Sequence, residues 1–353
     1  MTAVAEFKLS GTALPKDAEW MLNEMCEHFV EHAEVQRTAG TALLTNETGT
    51  AHMRLDDGKL LIELACPTQD ALQISRTVIA EHLFYFAGDE PFELTWSDPM
   101  PHTRLANLHE ATVSSTHDVT PHMRRVIVAC ADVTPFVSSD MHVRLLIPPR
   151  GRRPVWPGVR DDGRIAWPEG EDALLTRIYT IRAVDVERRE LWIDFLQHPM
   201  PGVATPGADF ARDAQPGDRL ALLGPGGGNL PEATSIFLVG DESALPAIAR
   251  IAAEASADTH MQAIIEVQDA AEEQRLPTAG TLDVRWLHRK TYPASAKNML
   301  ADTAKAALAA VDGETFVWVA CEKDDVRIIR GFLKSRKHDR KRMYVAWYWE
   351  REA

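Results

Sequence analysis

Arg177-Ile178-Tyr179-Thr180-Ile181-Arg182 decides how this chain of 353 residues is read. Alternation with period two puts Arg177, Tyr179 and Ile181 on one face of a strand, and Ile178, Thr180 and Arg182 on the other. One strand then offers a cation, an aromatic plane, a hydroxyl and a second cation. These are the groups that a bulky anionic aromatic cofactor needs. Taken alone, the six residues fit an ordinary amphipathic strand with solvated arginines better, so their surroundings must decide.

Those surroundings are all-β. Strand-like runs occur at Leu105–Ser114, Met123–Ala129, His142–Ile147, Arg177–Val186, Leu191–Leu196 and Arg219–Leu223. Six strands of this length predict a closed antiparallel barrel. Pro149–Pro168, rich in Pro, Gly and Arg, reads as a long surface loop. From Thr234 the pattern changes. Strands at Ser235–Gly240, His260–Val267, Thr281–Leu287, Thr315–Ala320 and Arg342–Trp349 alternate with helices at Ser243–Glu254, Ser295–Ala310 and Asp324–Lys337. Such alternation predicts a parallel doubly wound sheet, which binds ligands at the carboxyl ends of its strands. Gly240-Asp241-Glu242-Ser243 and Cys321-Glu322-Lys323 fall there, although neither is a G-x-G-x-x-G fingerprint.

Residues 1–100 predict a small α+β domain. Helical spacing spans Lys16–Val30 and Thr68–Phe86, and short strands are expected at Gly40–Thr45, Gly49–Leu55 and Lys59–Ala65. Ser97-Asp98-Pro99-Met100-Pro101 reads as a linker. The expected division is therefore 1–100, 104–232 and 233–353. His28 and His32 are four apart on a helix, a spacing able to hold a metal, with His82 as the only further candidate ligand; they read as ordinary histidines, and no metal site is expected.

Composition narrows the function classes. Apolar residues make up 45% and charged residues 25%, as in ordinary globular proteins. No run approaches the roughly 18 apolar residues of a membrane helix. No secretory signal opens the chain, and four scattered cysteines suggest reduced thiols in a cytoplasm. A net charge of -14 argues against nucleic acid as a partner. The charge is uneven: residues 1–100 hold 6 basic and 17 acidic side chains, whereas Arg327–Arg342 holds eight basic side chains and one acid. That basic run suggests an anionic ligand or an acidic partner, and reads equally well as a solvated face.

A barrel with Arg-x-Tyr-Thr on one strand, followed by a doubly wound domain, resembles the ferredoxin–NADP reductase superfamily. Within it the chain resembles the siderophore-interacting protein family of FAD-dependent ferric-siderophore reductases. The resemblance runs through His122-Met123-Arg124-Arg125-Val126, His142-Val143-Arg144-Leu145, Arg177–Arg182, Asp194–His198, Gly224-Pro225-Gly226, Gly240–Pro246, Trp286–Arg289, Ala320-Cys321-Glu322 and Tyr348-Trp349. Residues 1–100 resemble a small domain of unknown function found fused to it.

By this resemblance Arg177 and Arg182 should meet FAD, Arg177 at the pyrophosphate. Tyr179 should pack on the isoalloxazine and Thr180 should hydrogen-bond near N5, which places these two closest to the chemistry. A second phosphate element should involve His198, Gly202, Ala204 and Thr205, where the chain departs from the family pattern. NAD(P)H should meet Gly240, Asp241, Glu242, Ser243 and Glu322. Arg289, with Lys290, is expected at a 2′-phosphate, which would favour NADPH over NADH. Cys321 stands where the family usually has Gly. The family's Gly-Tyr-Trp ending appears as Ala346-Trp347-Tyr348-Trp349, and the short tail beyond it suggests the NADPH-using branch. Lys334, Arg336, Lys337, Arg340, Lys341 and Arg342 are candidates for an anionic ferric siderophore, as are Arg150, Arg152 and Arg153. The implied function is transfer of electrons from NAD(P)H through FAD to Fe(III)-siderophore, freeing Fe(II) in the cytoplasm. Two alternatives stand beside it: a flavin reductase serving a ferredoxin or flavodoxin, and a non-enzymatic siderophore-binding protein. Oligomeric state is not legible in the sequence.

Overall fold

A computed structural model describes residues 6–30, 33–98, 104–137, 140–197, 205–293 and 297–351. The chain parts into two compact units. One is Met1–Leu108 with Pro148–Leu174; the other is His109–Ile147 with Leu175–Ala353.

The first unit contains β1 (Phe7–Leu14), α1 (Ala18–Phe29), β2 (Glu34–Thr38), β3 (Thr41–Asn46), β4 (Gly49–Asp56), β5 (Lys59–Cys66), α2 (Gln69–Ala87) and β6 (Glu93–Trp96). Its sheet runs β2-β3-β4-β5-β1-β6. Asp17 caps α1 by accepting the Trp20 N–H, and Thr68 caps α2 by accepting that of Ala71. Their apolar stripes, Met21, Leu22, Met25 and Leu72, Ile79, Leu83, cover one sheet face and close a core around Met53, Leu60, Ile62 and Leu64. The expected strands are present. β1, β2 and β6 are additional, and β1 lies inside the sheet because it pairs with the distant β5 and β6. His28 and His82 stack with ring centroids 4.5 Å apart; His32 lies outside the described residues.

The second unit begins with β7 (Leu108–Thr120), β8 (Met123–Cys130) and β9 (His142–Ile147). The chain then leaves for the first unit, where β10 (Gly158–Val159) and β11 (Ile165–Ala166) form a small hairpin. The stretch expected as a surface loop is thus structured and in part buried. Arg76, 2% exposed, donates to the carbonyls of Asp98 and Asp161. Trp96 Nε1 donates to the Asp162 carbonyl, and Glu81 accepts the Ile165 N–H at 2.7 Å. Arg152 of this stretch pairs with Glu171 and Asp172.

The chain returns as β12 (Leu175–Asp185), followed by β13 (Glu190–Leu196), α3 (Pro206–Asp213) and β14 (Arg219–Leu223). A closed barrel results, in the order β12-β13-β8-β7-β14-β9. Val126, Val128, Val143, Leu145, Ile181, Ile193, Phe195 and Leu222 fill it. The remainder is β15 (Ser235–Asp241), α4 (Leu245–Glu254), β16 (His260–Val267), β17 (Thr281–His288), α5 (Met299–Leu308), β18 (Phe316–Glu322), α6 (Lys323–Ser335) and β19 (Met343–Trp349). The parallel sheet runs β17-β16-β15-β18-β19. Its order reverses between β15 and β18, which makes their carboxyl ends the ligand crevice of such a fold. One core packs α4 on one face, and another packs α5 and α6 on the opposite face.

Candidate functional site

β12 carries the decisive stretch, and its alternation is as the sequence predicts. Tyr179 and Ile181 face the barrel core. The Tyr179 ring packs on Phe195 at 4.2 Å between centroids, and its hydroxyl lies over Gly207 in the first turn of α3. A Cβ at Gly207 would strike that hydroxyl, so only glycine admits the contact. Burial pushes the Tyr179 phenol up to about 12, which keeps it a neutral donor. Arg177 is exposed and donates to the carbonyl of Thr176.

Thr180, 6% exposed, sits on the other face, opposite His142 of β9. A bulge follows between Ile181 and Ala183 and re-aims Arg182. Arg182 lies in the field of Asp194, Arg125, Arg250 and Glu254. Its Nε is buried with no hydrogen-bond partner among the described residues, and so is Gln197 Nε2. Asp194 is already taken by Arg125, whose Nε and Nη2 donate at 2.6 and 2.7 Å. Arg250, 1% exposed, reaches from α4 to the carbonyls of Ile181 and Phe136 at 3.2 and 3.1 Å. It thereby ties the parallel sheet's first helix to β12.

These features suit FAD. The exposed Arg177 guanidinium is a donor that an acceptor-rich diphosphate would satisfy. Thr205 stands at the start of α3, where its N–H donates to Asp209 at 2.9 Å. His198, Gly202 and Ala204 lie outside the described residues.

His142 links this strand to the sheet. Its ring sits above Gly228, whose φ of +68 and lack of Cβ let the loop pass beneath. Its Nε2 is 2.8 Å from the Tyr348 hydroxyl at the end of β19. Burial drops the His142 imidazole to about 4, so it is neutral, and its Nε2 shares a hydrogen bond with the Tyr348 hydroxyl. The barrel strand and the carboxyl edge of the sheet therefore meet through one side-chain contact. A second link is Glu272, 2% exposed, which accepts from the Thr120 hydroxyl and from both the N–H and the ring Nδ1 of His122.

The carboxyl edge collects the residues expected at NAD(P)H. Asp241 accepts the N–H and hydroxyl of Ser243 and the indole N–H of Trp349 at 2.7 Å. Burial, against those hydrogen bonds, raises its carboxyl. Glu322 caps α6 and accepts the Asp324 N–H at 2.7 Å. Asp325, 6% exposed, is pushed up to about 7 by burial and by the nearby Glu266 and Glu322. Cys321 is fully buried in the core beneath α5 and α6, and burial raises its thiol. Arg289 is not a free cation: it pairs with Glu242, 4% exposed, and with Glu266 at 3.3 Å. Burial opposes its charge, but Glu242 and Glu266 outweigh burial and hold the guanidinium charged. Lys290 pairs with Asp269.

The basic cluster is not brought to this site. Lys334, Arg336 and Lys337 end α6, and Arg340, Lys341 and Arg342 immediately precede β19. All of them therefore lie at the amino edge of the sheet, opposite the crevice. Arg336 is occupied by the carbonyls of Leu308 and Val311, and Arg342 by the carbonyl and carboxylate of Glu314. Helix ends and strand starts share this edge in any parallel sheet, so the order of elements in the sequence already carried the signal.

Comparison with known proteins agrees with this architecture. Residues 112–229 match the siderophore-interacting FAD-binding domain, and residues 233–352 match the siderophore-interacting protein family. Residues 12–97 match a family of uncharacterized proteins conserved in bacteria (DUF2218). An NADPH-dependent ferric-chelate reductase of Escherichia coli is 30% identical over 247 residues, which is 68% of this chain and 92% of that one. The ferric vibriobactin reductase ViuB of Vibrio cholerae is 28% identical over 239 residues, 66% of this chain and 86% of that one. The solved structure of a siderophore utilization protein from T. fusca is 34% identical, with a TM-score of 0.58, and the match covers 72% of this chain and 96% of that one. An FAD-binding barrel joined to a nucleotide-type parallel sheet is the architecture of an NAD(P)H-dependent flavoprotein oxidoreductase. The chain belongs to the siderophore-interacting protein family.

Proposed function

We propose that this chain is a ferric-siderophore reductase. It takes electrons from NAD(P)H, passes them through FAD to an Fe(III)-siderophore, and frees Fe(II) in the cytoplasm. The observation that carries the proposal is the junction of Thr180, His142 and Tyr348, where the flavin strand meets the carboxyl edge of the parallel sheet. Bound FAD supplies the exchange between a two-electron donor and a one-electron acceptor. The protein holds that exchange in place. Arg177 binds the diphosphate, Arg182 meets the cofactor elsewhere, Tyr179 backs the ring system, and the Thr180 hydroxyl both donates and accepts a hydrogen bond at the reacting edge. Asp241, Glu242, Ser243 and Glu322 shape the dinucleotide crevice. Fe(II) is held far less tightly than Fe(III) by hard oxygen ligands, so reduction alone releases the metal.

The rival reading delivers electrons to a ferredoxin or flavodoxin. Its support was the basic cluster, which lies at the amino edge of the sheet, away from the junction. The test begins with the absorbance spectrum of the purified protein, followed by anaerobic titration with NADPH and NADH. Ferric siderophore and a ferrozine trap are then added. Bleaching of the flavin and appearance of ferrous iron are expected, and Arg177→Ala should lower FAD occupancy. Flavin that bleaches without yielding ferrous iron would refute the reductase assignment.

A further inference from the structure

Glu272 is a buried carboxylate that the cofactor chemistry above does not use. It closes the single turn Ala270–Glu272 between β16 and β17. Asp269 caps that turn by accepting the Ala271 N–H at 2.9 Å. Asp269-Ala270-Ala271-Glu272 has the spacing of a capping box, in which the glutamate would turn back to the N–H of the cap. Here it reaches the barrel instead. Its side-chain hydrogen bonds among the described residues all come from the β7–β8 turn. The Thr120 hydroxyl and the His122 N–H donate to Oε2, the latter at 3.2 Å, and His122 Nδ1 lies 2.7 Å from Oε1. A carboxylate is costly to bury unless it is matched, and this one is matched only where barrel and sheet meet.

Arg250, Tyr348 and Glu272 join the parallel sheet to the barrel at separate places. Arg250 reaches the Ile181 and Phe136 carbonyls from α4, on one face of the sheet. Tyr348 meets His142 from the carboxyl end of β19, and Glu272 meets the β7–β8 turn from the connection that follows β16. With the sheet order β17-β16-β15-β18-β19, the last two links flank the crevice between β15 and β18. Two fixed points leave a rotation about the line that joins them, and a third stops it.

We propose that Glu272 is a positioning residue for hydride transfer: it pegs the dinucleotide crevice to the flavin barrel on the side opposite Tyr348. The proposal rests on the passage of hydride from NAD(P)H to flavin and not on the acceptor that follows. β16 and β19 are three strand spacings apart, about 14 Å. While Arg250 and Tyr348 hold, slack of about 1 Å at Glu272 moves groups in the crevice by about half as much; a misplacement of about 1 Å costs about a hundredfold in rate, so the expected loss is about tenfold.

The test uses the flavin-loaded full chain and the limiting rate at which NADPH bleaches the flavin, read by stopped flow before any ferric chelate is added. Glu272→Ala should lower that rate about tenfold and leave the dissociation constant for NADPH within about twofold of wild type. Glu272→Gln should keep the rate within about threefold, because its amide oxygen accepts from Thr120 and the His122 N–H while its nitrogen faces His122 Nδ1. Thr120→Val, which removes one donor, should fall between them, and it decides the matter if Glu272→Ala does not fold. In flavin-free protein the His122 amide should exchange its hydrogen faster in Glu272→Ala than in wild type or Glu272→Gln. The assignment is overturned by folded Glu272→Ala, or failing that Thr120→Val, that bleaches at the wild-type rate. It is equally overturned by NADPH affinity that falls as far as the rate, by Glu272→Gln as slow as Glu272→Ala, or by an unchanged His122 amide. Variants that behave as expected in a protein whose reduced flavin then yields no ferrous iron from a ferric siderophore would sink the reductase reading and leave Glu272 standing.

Discussion

Replacing Asp325 by Asn should stabilise the protein above neutral pH. Asp325 lies in the first turn of α6, 6% exposed, with one carboxylate oxygen unpartnered among the described residues. Burial, then Glu266 and Glu322, raise its carboxyl from 3.8 to about 7. Between those values the folded chain keeps a proton that the unfolded chain has released. The unfolded state then binds fewer protons, so stability falls as pH rises from about 4 to 7, at about 1.4 kcal/mol per unit. About three units give at most about 4 kcal/mol, and sharing of the proton among neighbouring carboxylates reduces this to about 2–4. Asn keeps the acceptor, supplies a donor and carries no charge. The stability of Asp325→Asn minus that of wild type should therefore be near zero at pH 4 and reach a plateau of about 2–4 kcal/mol by pH 8. In a unit of this size the gain appears as a rise in melting temperature of about 4–16 °C at pH 8. Melting curves at four or five pH values decide the matter. A variant no more stable than wild type at pH 8 would show that Asp325 is ionised without cost and that the reasoning is wrong.

Three further perturbations test the flavin strand and its supports. His142, lowered to about 4, is neutral when folded and charges on unfolding below its ordinary 6.5; stability from this group is lost as pH falls through that window, and His142→Gln should flatten the acid slope by up to about 3 kcal/mol in urea titrations. Gly207→Ala should cost about 1–3 kcal/mol by driving a methyl into the Tyr179 hydroxyl, and adding Tyr179→Phe should recover most of the lost melting temperature. Arg250→Met should cost about 3–5 kcal/mol, since it strips the Ile181 and Phe136 carbonyls of their donor. It should also speed the release of flavin, because Ile181 adjoins Thr180 and Arg182; unchanged flavin retention would show that α4 does not brace this strand.

The elements that periodicity exposes were legible, and those fixed by distant partners were not. His142–Ile147, Arg219–Leu223 and His260–Val267 read from the sequence with the bounds they have in the fold, because each is a short apolar run between turn residues. β1 did not, because its residues alternate weakly and its place is set by pairing with β5 and β6 more than forty residues away. Pro149–Pro168 looked like a loop because Arg76, Trp96 and Glu81, which hold it, belong to another part of the chain. Charge runs are hard to place for a related reason. A run of Lys and Arg gives sign and density but not the edge of the sheet on which it lies, and here element order places it at the amino edge.

The same logic explains why Arg289 looked like a phosphate ligand. A cation at the end of a strand is a ligand candidate only while its charge is free, and charge balance is a property of the folded crevice. Here Glu242 and Glu266 lie on β15's end and β16, far from Arg289 in sequence but beside it in space. A 2′-phosphate at Arg289 would have to displace Glu242, leaving that carboxylate, 4% exposed, without its counter-ion. That loss opposes the gain from a new phosphate pair, so Arg289 by itself supplies no net preference for NADPH. Glu242→Gln, which releases Arg289 from half of its pairing, should therefore shift affinity toward the phosphorylated dinucleotide. Calorimetric titration with NADPH and NADH should show the ratio of their dissociation constants moving about tenfold in that direction, and an unmoved ratio would show that the 2′-position lies elsewhere.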